Sequence, residues 1–195
     1  MSLQFLHDKA VGLGTANWKD MKAPFIPALL DSNATNYDFD SSLLGISFHS
    51  DARYPNEIVR YIFQVNHDWK IGSDIDFHIH WFQSQAAIPN FLIQYRWYDN
   101  GTTSIPSWTN LYTPTQAFTY SSGTLLQISD FGTVSPTSIS GVSSFIDVLF
   151  YRDTDDDSEL FGAVDPVATD VTIKELDIHL QIDSIGSDEE YSKSF

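Results

Sequence analysis

The chain has 195 residues, 42% hydrophobic and 14% aromatic, with 10 basic against 26 acidic side chains and a formal net charge of −16. That length suits one domain with a substantial core, and so much large apolar surface excludes a disordered chain. The acidic balance excludes a phosphate-binding surface, which needs clustered Lys and Arg, and it disfavours an anionic membrane.

Only 18% of residues are charged, too few for long solvent-facing helices, so the balance leans to strands. Cysteine is absent, which removes disulfides, thiol nucleophiles and thiolate metal sites. No stretch reaches the ~18 consecutive apolar residues of a membrane span. The N-terminus lacks the charged start and apolar run of a secretory signal, so the chain is expected to stay in the cytosol where it is made.

Residues 1–43 read as an irregular N-terminal arm. Gly12, Gly14, Pro24 and Pro27 interrupt any long element, while Trp18, Phe25, Ile26, Leu29 and Leu30 give it apolar handholds for its own domain or a neighbouring subunit. Period-two patterning then governs a β-sandwich domain over residues 44–184. Strands are expected at 44–48 and at 58–65, the latter apolar on both faces and therefore central. Residues 74–81, Asp-Ile-Asp-Phe-His-Ile-His-Trp, alternate without error: Ile75, Phe77, Ile79 and Trp81 line one face, and Asp76, His78, His80 and Phe82 the other. Residues 91–98 form the next strand, and Asp99-Asn100-Gly101 a turn that favours positive φ. A short strand at 108–112 precedes a stretch rich in Ser, Thr, Gly and Pro, with apolar islands at 125–128 and Phe131. Strands at 145–151 and 171–183 follow, the last with Leu176, Ile178, Leu180 and Ile182 opposite Glu175, Asp177, His179 and Gln181. A polar tail occupies 185–195. Eight or so strands with long connections predict an all-β, antiparallel β-sandwich of jelly-roll-like type.

The acidic run Asp153, Asp155, Asp156, Asp157 and Glu159 reads as a solvated loop, since it lacks the Gly and closing Glu of an EF-hand. The sharper constellation is histidine. His78 and His80 project from one strand face, and His179 lies on the polar face of the last strand beside Asp177. If those strands are neighbours, three imidazoles and a carboxylate converge, as in cupin-type metal sites. The Glu and the glycines of a cupin are missing, so a polar sheet face or subunit seam is the preferred reading, and no metal or cofactor is assigned. Should a metal bind, His78, His80 and His179 are its candidates. No Gly-x-Ser-x-Gly elbow or phosphate loop is present, and no enzymatic role is expected. Trp69, Trp97, Trp108 and Tyr112 suit core or interface packing better than a carbohydrate platform.

His67-Asp68-Trp69, Gly72-Ser73-Asp74-Ile75, Phe77-His78-Ile79-His80-Trp81, Tyr151-Arg152-Asp153, and Asp177-Ile178-His179 followed by Gly186-Ser187 together resemble a family of small tailed-phage structural proteins. The resemblance covers about residues 65–187. It implies a β-rich, oligomeric virion component: a capsid decoration (cement) protein, most simply a homotrimer on the major capsid protein, assembled in the bacterial cytoplasm. The alternatives are a tail or head fibre with a receptor- or glycan-binding surface, and a cupin-like metal-dependent enzyme. Trp18, Phe25, Ile26, His78 and His80 are the interface candidates. No nucleic-acid or membrane partner is expected.

Overall fold

A computed structural model describes residues 17–22, 25–27, 38–52, 57–83, 85–99, 101–112, 125–136, 141, 143–154 and 164–182. They form eleven strands and no helix: β1 (Asn17–Lys22), β2 (Phe25–Pro27), β3 (Asp38–Asp40), β4 (Gly45–Phe48), β5 (Ile58–Gln64), β6 (Ile75–Gln83), β7 (Phe91–Tyr98), β8 (Thr109–Tyr112), β9 (Leu125–Val134), β10 (Phe145–Arg152) and β11 (Val171–Ile182).

Two antiparallel sheets result. The first runs β3-β4-β11-β6-β9, with β1 added to the edge of β11 that β4 leaves free. The second runs β2-β5-β10-β7-β8. From β4 onward each strand passes to the other sheet except at the β7–β8 hairpin, so that β4, β11, β6 and β9 face β5, β10, β7 and β8. This order is jelly-roll-like, two interleaved antiparallel sheets around one core.

The alternating patterns explain the packing. Ile75, Phe77, Ile79 and Trp81 of β6, with Leu176, Ile178 and Leu180 of β11, point between the sheets and are at most 1% exposed. They meet Val59, Tyr61 and Phe63 of β5, Phe91, Ile93 and Tyr95 of β7, and Ile146, Val148 and Phe150 of β10. Aromatic pairs join this core, Phe48–Phe150 and Trp81–Phe91 at 5.5 and 5.8 Å between centroids. Each fully buried side chain of this size contributes about 1.5–3 kcal/mol. The other faces of β5, β7 and β10 carry a smaller cluster of Ile58, Leu92, Leu149 and Tyr151, against which Trp108 packs.

Where residues 1–43 read as irregular, the described parts supply three short strands that pair within the domain. β1 lies along β11, β2 along β5 and β3 along β4. Glycine and proline forbid long elements here but not short ones, and Pro27 closes β2 at a sheet edge, where a missing N–H donor is tolerated. Residues 1–16, the acidic residues 155–159, the tail 185–195 with Gly186-Ser187, and residues 113–124 and 137–140 lie outside the described residues.

Several of the quoted motifs are structural. Trp69 is fully buried, and Asp68 receives Lys19 Nζ of β1 at 2.7 Å. Arg152 is also fully buried: its Nε donates to Asp165 Oδ2 at 3.0 Å, and its terminal nitrogens donate to the carbonyls of His49 at 2.9 Å and Thr169 at 2.8 Å, and to that of Val167.

Candidate functional site

The outer face of the first sheet carries the chemistry. Strict alternation buries Ile75, Phe77 and Ile79, so Asp76, His78 and His80 turn away from the second sheet. β11 pairs with β6 with Asp177 opposite His78 and His179 opposite Asp76. On the far edge of β11, β1 sets Asp20 opposite His179 and Lys22 opposite Asp177. On the other side of β6, β9 sets Ile128 opposite His80 and Asp130 opposite His78. These nine side chains line a depression of about 390 Å³.

His78 Nε2 and His80 Nε2 each lie 3.3 Å from Asp177 Oδ2. The His78 and His179 rings meet edge to face at 4.1 Å between centroids, and the His78 and His80 rings stand 5.2 Å apart. His179 Nε2 is engaged by Asp20 Oδ1 at 2.8 Å. Lys22 Nζ, held by Glu175 at 2.7 Å, faces the same carboxylate cluster. Burial acts to raise the Asp177 pKa, but the hydrogen bond from His78 and the charges of Lys22, His78 and His80 outweigh it and hold the carboxyl below its ordinary value.

Of the sequence candidates, His78 and His80 converge, and Asp177 joins them with ligand atoms of all three within 4.8 Å of one another. His179 is adjacent, but its Nε2 is committed to Asp20. Trp18 belongs to the same outer face, since its register partner is Gln181, two residues along from His179. Phe25 and Ile26 lie instead on an edge strand of the second sheet, and their side chains are outside the described structure.

Sequence reasoning missed Asp20 and Lys22 because the first 43 residues read as an arm, although Trp18-x-Asp20-x-Lys22 carries the spacing of one strand face. It missed Asp130 and Ile128 because β9 breaks its own alternation. Its pairing steps from His78–Asp130 to Phe77–Gly132, skipping Phe131, and Gly132 adopts φ +91°. This bulge lets Phe131 and Val134, three residues apart, both enter the core.

A second titratable group surrounds His49. Its Nδ1 lies 2.9 Å from Glu57 Oε1, its backbone N–H donates to Glu57 Oε2 at 3.0 Å, and its Nε2 lies 3.3 Å from Asp38 Oδ2. Asp51 stands close enough to complete a donor set. Both Glu57 oxygens are already engaged, so the group closes on itself.

The tryptophans do not form an exposed platform. Trp69 is buried, Trp97 packs on Tyr95, and Trp108 lies under Arg96 at 4.1 Å. No family model matches the chain, and no curated protein matches it.

Proposed function

We propose that the protein is a structural component of a tailed-phage virion, a homotrimeric decoration protein that binds the major capsid protein and stabilises the head through contact area. The observation that carries this reading is the outer face of the first sheet. Trp18, Leu126 and Ile128 are 45%, 53% and 57% exposed on this face, flanking the histidine–aspartate cluster. A sheet face that met only water would alternate to polar residues at these positions, whereas apolar side chains gathered on one exposed face mark an association surface. Two elements of the phage-like pattern, His-x-His of β6 and Asp-x-His of β11, are paired on that same face.

Other features support the reading. Jelly-roll sandwiches are a recurrent capsid architecture. A net charge of −16 keeps a densely copied surface soluble and repels packaged DNA. Closed oligomers of this kind bury about 800 Å² per partner, an area one sheet face can supply.

The test is light scattering of the untagged full chain at micromolar concentration, followed by co-sedimentation with heads assembled from the major capsid protein. A stable trimer that sediments with heads is expected. A clean monomer, or a trimer that leaves heads in the supernatant and binds glycans instead, overturns the decoration reading.

A further inference from the structure

The cluster at the centre of this face is held by hydrogen bonds that are long and unevenly shared. Both imidazole Nε2 atoms stand 3.3 Å from the same oxygen, Asp177 Oδ2. A charge-assisted N–H···O bond is shorter, about 2.7–2.9 Å. The other oxygen, Asp177 Oδ1, is buried and has no hydrogen-bond partner among the described residues. A carboxylate whose task was to orient two histidines would offer one oxygen to each, since both accept. Here one oxygen is shared and the other is idle, on a side chain only 3% exposed.

A metal ion bound through Oδ2 accounts for the shared oxygen and for its separation from both imidazoles. With metal–donor bonds of about 2.0–2.1 Å, neighbouring donors of a tetrahedral shell stand about 3.3 Å apart. That is the separation of Oδ2 from each imidazole. We infer that His78 Nε2, His80 Nε2 and the Asp177 carboxylate bind a divalent transition metal of the zinc class, with a fourth position open to the depression between β6, β9 and β11. Two nitrogens and one carboxylate suit such an ion, whereas Mg²⁺ and Ca²⁺ take oxygen shells. The ligands sit on paired strands, which fixes their separation. Asp20, Asp76 and Asp130 around the rim favour cation entry. His179 flanks the site, its Nε2 held by Asp20. The inference goes beyond the virion reading and stands without it.

The test uses the untagged full chain, stripped with chelator, titrated with Zn²⁺ by calorimetry and with Co²⁺ by visible absorption. Expected are about one ion per chain and the intense Co²⁺ bands of a four-coordinate site. His80→Gln should weaken binding by at least about tenfold, as should Asp177→Asn, while His179→Gln leaves it in place. Absence of heat and of Co²⁺ bands, or an affinity indifferent to His80→Gln, overturns the site. Asp177→Asn risks unfolding, so the thermal melt of the unaltered chain decides as well: Zn²⁺ should raise Tm, and an unmoved Tm counts against the site. Light scattering of the same samples separates the two proposals. A trimer that shows neither Zn²⁺ heat nor Co²⁺ bands keeps the virion reading and removes this one, and a zinc-binding monomer does the reverse.

Discussion

Arg152 shows how a single residue ties this fold together. Its guanidinium reaches the carbonyls of His49, Val167 and Thr169 and the carboxylate of Asp165 from a position with no solvent exposure. Arg152→Met would leave the buried Asp165 carboxylate without its cationic partner and take a donor from each of the carbonyls, and should lower unfolding stability by about 3–5 kcal/mol in urea melts. Arg152→Lys should recover only part of the loss, because one ammonium cannot reproduce the planar fork. The His49 group gives a pH prediction of definite sign. The hydrogen bond to Asp38 raises the His49 pKa from 6.5, with help from Glu57 and against burial, and burial raises that of Glu57 from 4.5. Both folded-state values exceed the unfolded ones. Each group therefore contributes stability that is complete below its unfolded value and lost as pH rises through its folded value. The Glu57 contribution begins to fall above 4.5 and that of His49 above 6.5. The gap in unfolding free energy between the native chain and His49→Asn should thus narrow from pH ~5.5 to pH ~8. A gap that is constant or wider at the higher pH contradicts the assignment.

At the level of elements, close approaches between strands set what the sequence tolerates. A Cβ on Gly45 of β4 would stand 2.5 Å from the carbonyl oxygen of Ile173 in β11, a backbone atom that cannot swing aside. Gly45→Ala should cost about 1–3 kcal/mol, read as a shift in denaturation midpoint at constant slope. Most of these elements could be read directly from the residues. β6, β7, β10 and β11 alternate or run apolar as buried strands do, and their observed limits fall within two residues of the expected ones. β9 could not, because its exposed face carries Leu126 and Ile128 and its bulge at Phe131–Gly132 shifts the phase. β1 could not, because it is short and its one long-range reward, the edge of β11, is invisible to local periodicity. Half the candidate site was therefore legible. His78 and His80 share a strand face by counting, whereas the choice of Asp177 over His179 depends on a register that only pairing fixes.

On the scale of the whole molecule, the proposed oligomer and the closure of the first sheet use the same surface differently. Leu126→Ser combined with Ile128→Ser removes exposed apolar area without touching the core. It should leave the thermal midpoint within a few degrees while shifting the oligomer towards monomer in sedimentation velocity, as for apolar residues that serve an interface. Removing residues 1–22 should instead expose the β11 edge from Asp177 to Ile182 and unpair His179 from Asp20, producing aggregation that size exclusion detects. β11 also has a temporal consequence. It is the partner of β1, β4 and β6 alike, so three strands of the first sheet wait for the segment that leaves the ribosome after all of them. During synthesis at ~5–20 residues per second, their apolar faces stay uncovered for many seconds until residue 182 emerges. The first sheet therefore closes late, and slow translation between β6 and β11 would lengthen its exposure to chaperones rather than help it fold.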